Sequence, residues 1–175
     1  VDPVFYMKKD KWIEIANKAN NKKEADFVYY TINSDIEKDI INFANKNKMV
    51  LNINSIENIT ENLSIEEWLY KIMNCKFFVA DSFHGICFAI IFNKPFLCVR
   101  KQASTRMQSL LESVQIENRL YKTFEEIDLN KIVQPIDYNK TNQNIFKLKE
   151  FSTNWLINAI ENPINNPDLK SKNKK

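Results

Sequence analysis

Glycine is almost absent from this chain, which has one glycine, Gly85, among 175 residues. The phosphate-binding motifs G-x-G-x-x-G and G-x-x-x-x-G-K-S/T each need several glycines, because their backbone must approach a phosphate group closely. The sequence therefore excludes a standard dinucleotide site and a P-loop nucleotide site from these 175 residues. An anion site in this chain has to use side chains and a helix N-terminus instead.

The sequence also has few cysteines, a small net charge and no long apolar run. Its three cysteines, Cys75, Cys87 and Cys98, form no C-x-x-C pair, and two lie inside apolar runs, which predicts small core residues in a reducing compartment. We expect no metal site, because zinc needs more ligands at closer spacing. The formal net charge is only +3, so no nucleic-acid-binding face is indicated. The longest apolar run is about half the length that a transmembrane helix requires, and no secretory signal is present.

The most informative stretch is residues 76–99, where the only histidine, His84, stands next to the only glycine. Residues 77–80 are aromatic and β-branched, which predicts a short buried strand. Residues 83–92 are apolar on nearly every side, which favours a buried helix, and Pro95 ends it before a second strand at 96–99. The stretch therefore predicts a strand, a polar turn, a buried helix and a strand.

The rest of the chain continues this alternation of helices and strands. Ser64 and Glu67 have the spacing of a capping box at the start of a helix. We predict one α/β domain over residues 1–162, a Rossmann-like parallel sheet flanked by helices, and a polar, disordered tail over 163–175. Further helices are predicted over 8–19, 36–47, 64–73, 106–114, 124–133 and 138–160, further strands over 27–32, 49–53 and 120–121, and a polar loop over 55–62.

The turn at residues 81–82 is the candidate functional site. Both residues favour the N-cap of the following helix, and we assign the cap to Asp81. A helix start offers unpaired N–H groups that attract carboxylate or phosphate, and this one follows a strand, where open α/β sheets bind ligands. His84 would stand beside that site with a side chain able to move a proton near neutral pH. The structural alternative is that His84 is a satisfied histidine and that Gly85 serves only helix–sheet packing.

The segment Asp81-Ser-Phe-His-Gly, followed by an apolar helix and Asn93-Lys-Pro-Phe, resembles the signature of the polysaccharide pyruvyl transferase family. Other segments follow in the family's order. The opening Val1-Asp-Pro-Val-Phe resembles its D-P-T/V-F-L-L segment, and residues 64–69 resemble the helix before the motif strand. Residues 106–111 and then Arg119-Leu resemble its downstream R-x-x-S-L-L and R segments, so that the resemblance spans about residues 1–122.

The resemblance implies an enzyme that transfers a pyruvyl group from phosphoenolpyruvate to a saccharide of a bacterial surface polymer, forming a cyclic ketal. It implies no cofactor beyond this donor substrate. The family's fold is a pair of Rossmann-like domains similar to the GT-B glycosyltransferases, of which this chain resembles the C-terminal one. We therefore expect an N-terminal domain outside this segment, and a cytoplasmic location that includes the inner face of the membrane as an option.

Individual residue roles also follow from the resemblance. His84 becomes the general acid or a donor-binding group. The family's usual motif has arginine two residues before the histidine, where this chain has serine, so positive charge for the donor has to come from elsewhere. Arg106 is the first candidate, with an exposed helix residue as its structural alternative, and Arg100 and Lys101 are further candidates beyond a strand end. The remaining substrate-binding positions are Ser82, Phe83 and Gly85.

Two other functions stay open at this point. A glycosyltransferase of similar fold would set His84 against the diphosphate of a nucleotide sugar. A non-catalytic domain that binds saccharides or anions would keep the helix and lack the chemistry, which Ser82 in place of arginine slightly favours. Donor tests separate the first from the pyruvyl transferase, and a His84→Ala variant that keeps full biological activity would indicate the second.

Overall fold

The computed structural model describes residues 1–101 and 105–162 of the chain. These residues form five strands, and short 3₁₀ helices precede α1, α2 and β5. The strands are β1 (Phe27–Tyr30), β2 (Ile56–Asn58), β3 (Phe77–Ala80), β4 (Phe96–Val99) and β5 (Leu120–Tyr121). The helices are α1 (Lys9–Ala16), α2 (Glu37–Asn47), α3 (Ile65–Asn74), α4 (Phe83–Ile91), α5 (Thr105–Ser113), α6 (Leu129–Ile132) and α7 (Tyr138–Glu161).

All five strands run parallel in one sheet of order β2-β1-β3-β4-β5. Parallel sheets carry helices on both faces, and strand residues alternate between the faces. On β3, Phe77 and Val79 pack with the apolar side chains of α2 and α6, whereas Phe78 and Ala80 pack with those of α1, α3, α4 and α5. The predicted α/β, Rossmann-like architecture is confirmed.

The cysteines are small core residues, as predicted. Cys75, Cys87 and Cys98 are all buried and unpaired. Burial raises the pKa of the Cys75 and Cys98 thiols to about 12 and raises that of Cys87 further. A protonated thiol is a poor nucleophile, so none of the three can supply a thiolate for chemistry near neutral pH.

The strand predicted at residues 49–53 is wrong. Met49 is 85% exposed, and the N–H groups of Leu51 and Ile53 donate to carbonyls at the end of α2, so the backbone turns instead of extending. Strand β2 forms a few residues later, inside the predicted polar loop, where Ile56–Asn58 pairs with β1. An edge strand of three residues needs few apolar side chains, so its composition gave no signal.

The last two predicted helices have different outcomes. The helix predicted at 124–133 shortens to α6, which Asp128 caps by accepting the N–H of Asn130. The long helix is confirmed as α7, and its Ile145 is buried, but Phe151 further along is exposed. The tail predicted at 163–175 lies outside the described residues. Within 1–101 and 105–162, the helices are too short or too polar to cross a bilayer.

Candidate functional site

The turn between β3 and α4 lies at the carboxyl edge of the sheet, and Ser82 is the N-cap of α4. Its Oγ accepts a hydrogen bond from the Gly85 N–H at 3.4 Å, so the assignment of the cap to Asp81 is wrong. The N–H groups of Phe83 and His84 begin the helix and have no partner within it. They lie at the positive end of the α4 dipole, which is a favourable place for an anion.

Asp81 instead ties the β3–α4 turn to the loop after β1. Its buried carboxylate accepts the backbone N–H groups of Ile32 at 2.7 Å and Asn33 at 3.0 Å, and the Thr31 hydroxyl at 3.1 Å. Strands β1 and β3 are the neighbours between which the strand order reverses, where open α/β sheets bind ligands. A carboxylate suits this place because it accepts several hydrogen bonds at once. Asp81 therefore fixes the backbone around the site.

Gly85 lies beneath the site, where α4 packs on β3. A Cβ at this position would lie 3.2 Å from the Ala80 Cβ and 3.5 Å from the Phe78 ring. Gly85 is buried, and its N–H is occupied by Ser82. Gly85 therefore serves close packing of the helix on the strand, and the substrate-binding role predicted for it stays a prediction.

The structure brings His84 together with Phe83, Arg106 and Asp2, from three distant parts of the chain. The His84 side chain is 56% exposed, and its Nε2 lies 4.0 Å from Oδ2 of Asp2, whose side chain is only 7% exposed. Arg106 forms an ion pair with the same Asp2 carboxylate, and its guanidinium lies 3.8 Å from the centre of the Phe83 ring. Arg106 is thus held beside His84 by a buried carboxylate and an aromatic face.

Arg100 and Lys101 lie elsewhere. They line a hollow of about 390 Å³ on the α2 side of the sheet, together with Asn33 and Asp81. Arg100 also donates to the Asp81 carbonyl at 3.3 Å. The predicted cations therefore divide into two groups. Arg100 and Lys101 lie on the α2 side of the sheet, and only Arg106 lies beside His84.

A groove of about 450 Å³ lies next to His84, and neither Arg106 nor Arg100 is part of its lining. Its walls come from the end of β1, the loop between β2 and α3, the first turns of α3, and the Ser82–His84 turn. Trp68 and Tyr30 form part of its lining and pack edge to face, with ring centroids 5.3 Å apart. The sequence reasoning missed this groove, because it depends on loops with weak local signals.

Asp2 contacts both His84 and Arg106, and sequence reasoning gave it no role. Its Oδ1 accepts the Val4 N–H and so caps the first 3₁₀ helix, while its Oδ2 faces Arg106 and His84. The available signal was the Asp-Pro pair in the opening segment, because aspartate is a common cap of a helix that begins with proline. Among the described residues, no group of three or more His, Cys, Asp and Glu side chains is placed to hold a metal ion.

Comparison with known proteins identifies a family. The sequence model of the family described as polysaccharide pyruvyl transferase matches residues 1–100, which carry the opening segment, β1 to β4 and the His84 turn. No curated protein and no solved structure matches the chain.

Proposed function

Because the chain belongs to the polysaccharide pyruvyl transferase family, we propose that it transfers a pyruvyl group from phosphoenolpyruvate to a saccharide of a bacterial surface polymer. The observation that carries the proposal is the position of His84. An exposed imidazole stands at the start of α4, next to unpaired backbone N–H groups and beside Arg106. This arrangement can hold an anion and move a proton to it.

The donor carries a carboxylate and a phosphate, so its site needs oriented donors and positive charge. The Phe83 and His84 N–H groups at the start of α4 and the Arg106 guanidinium provide both. Ser82 supplies no charge, and its oxygen already accepts the Gly85 N–H. In our proposal Arg106, reaching in from α5, takes the part of the arginine that this motif lacks.

His84 acts as the general acid in the proposed reaction. Its imidazolium gives a proton to the methylene carbon of the enol, and positive charge develops at the neighbouring carbon. One saccharide hydroxyl adds to that carbon, phosphate leaves, and a second hydroxyl closes the ketal. The two hydroxyl protons balance the new methyl hydrogen and the proton on the released phosphate. The Asp2 carboxylate lies 4.0 Å from Nε2 of this imidazole.

Calorimetry with phosphoenolpyruvate tests this proposal on the wild type and on matched variants. We expect Arg106→Gln to weaken donor binding about tenfold, because it removes a charge-assisted hydrogen bond. Arg100→Gln removes a cation from the separate hollow and should change binding by less than about twofold. His84→Gln should abolish phosphate release in the presence of an acceptor without changing the melting temperature.

The same titration with a panel of nucleotide sugars tests the alternative hypothesis that the chain is a glycosyltransferase. Binding of a nucleotide sugar, with no response to phosphoenolpyruvate, would replace the pyruvyl transferase proposal. Equal effects of Arg106→Gln and Arg100→Gln would contradict the donor site at α4, because Arg100 lies in the separate hollow on the α2 side of the sheet and Arg106 does not.

A further inference from the structure

The groove beside His84 differs in chemistry from the proposed donor site on the other side of that histidine. Its lining includes apolar and hydroxyl-bearing side chains, and of the described residues that form it none is Asp, Glu, Lys or Arg. Ile32 and Ile65 stand at the groove and are 71% and 70% exposed. Isolated apolar side chains on a surface need no explanation, but here two of them flank one cavity with two aromatic rings.

The absence of charge among these lining residues decides which substrate suits the groove. A donor with a carboxylate and a phosphate would lose its hydration there and gain no ionic partner except His84. The neutral ring of a saccharide has an apolar face of C–H groups and a rim of hydroxyl groups. Trp68, Tyr30 and the two isoleucines suit that apolar face.

The polar groups of the groove suit the hydroxyl rim. Thr60 Oγ accepts the Thr31 N–H at 3.3 Å, which leaves its own O–H to donate. Asn62 also lines the groove and provides both an amide donor and a carbonyl acceptor. Sugar hydroxyls donate and accept at once, so neutral partners of both kinds are the appropriate ones.

We infer that this groove binds the neutral saccharide ring of the acceptor and presents its hydroxyls to His84. The inference rests on the proposed function and adds the acceptor's location to it. His84 then stands between the two substrates, with the Arg106 side taking the anionic donor and the Trp68 side taking the uncharged acceptor. The groove is selective against acidic sugars, because a sugar carboxylate there meets no Lys or Arg among the described lining residues and has His84 as its single ionic partner.

NMR titration of the full chain tests this inference, with simple methyl pyranosides (glucoside, galactoside and mannoside) as the probes. Trp68 lies in the groove, so its indole N–H signal, assigned with a Trp68→Phe variant, reports occupancy directly. Trp12 serves as an internal reference, since its indole donates to the Val4 carbonyl. The ring signal of the only histidine, His84, reports phosphoenolpyruvate separately.

Ile65→Glu is the informative variant. Ile65 is exposed and is the first residue of α3, where an acidic side chain favours the helix, so the fold should be retained. Met49→Glu is the matched control, because Met49 is also exposed and apolar but follows the end of α2, away from the groove. We expect a pyranoside to shift the Trp68 signal, Ile65→Glu to weaken that response about tenfold, and Met49→Glu to leave it unchanged.

The outcomes separate this inference from the proposed function. If phosphoenolpyruvate shifts His84 but no pyranoside shifts Trp68, the acceptor groove is overturned and the donor proposal stands. If a pyranoside shifts Trp68 but phosphoenolpyruvate leaves His84 unchanged, the saccharide site stands and the proposed donor fails. If phosphoenolpyruvate displaces the pyranoside from the groove, the division of the two substrates is overturned.

Discussion

At the scale of single residues, the only glycine of the chain is explained by packing. Gly85 lets α4 lie against Ala80 and Phe78 of β3, and its backbone φ is not in the left-handed region. Its neighbour His84 sits one residue earlier on the helix and points to the surface. Gly85 is therefore buried against β3 while the adjacent His84 is exposed, because successive helix positions face about 100° apart.

Gly85→Ala tests this packing. The added methyl gains up to about 1 kcal/mol of helix propensity, but overpacking costs about 1–3 kcal/mol. We expect a net loss of about 1 kcal/mol in the free energy of unfolding, measured by urea denaturation, because Ala80 belongs to a strand paired on both sides.

Ala80→Gly provides the matched variant for a double-mutant cycle. It removes the methyl that the new Cβ would meet at 3.2 Å, so combining it with Gly85→Ala should cost about 1 kcal/mol less than the sum of the single changes. Strictly additive effects would show that the two positions do not press on each other.

At the scale of elements, α7 has two unlike halves. Its first half joins the hydrophobic core through the buried Ile145, whereas Ile160 near its end is 68% exposed. We expect Ile145→Ala to lower the free energy of unfolding by about 2–3 kcal/mol and Ile160→Ala to change it by less than about 0.5 kcal/mol. Urea denaturation of the two variants compares the same chemical change on one helix.

An equal cost for the two alanine variants would contradict this description of α7. It would mean that Ile160 is covered in the native protein, since only a buried isoleucine loses so much on truncation. The sequence alone predicted the helix but not this difference, because its apolar residues extend over more of the surface than one packed face requires.

At the scale of the whole molecule, the buried cysteines report global unfolding. Cys75 at the end of α3, Cys87 in α4 and Cys98 in β4 all lie in one core cluster. Burial raises the pKa of each thiol. We expect a thiol reagent at pH 8 to react slowly with the native chain and to modify all three cysteines in urea, where the thiols regain their usual pKa. Fast labelling of one cysteine without urea would reveal local opening of the core.

Much of the fold could be predicted from the sequence because the signals were local. Ser64 and Glu67 form the predicted capping box at the start of α3, and the aromatic and β-branched run before Asp81 is the central strand β3. The prediction failed where local composition does not indicate the backbone conformation. Residues 49–53 look like a strand but form a turn, and β2 was missed because three edge residues carry too little pattern.

The sequence by itself determined the alternating helices and parallel strands, the buried helix after the Asp81–Ser82 turn, and the choice of His84 as the residue to examine. Only the tertiary structure decided that the Asp81 carboxylate holds the loop after β1, 49 positions away at Ile32, which leaves Ser82 to cap α4, and that Arg106 rather than Arg100 stands beside His84. The physical reason is range. Caps and periodicity act within a few residues, whereas Asp2 and Arg106 are 104 positions apart and meet only when the sheet places the opening segment and α5 together.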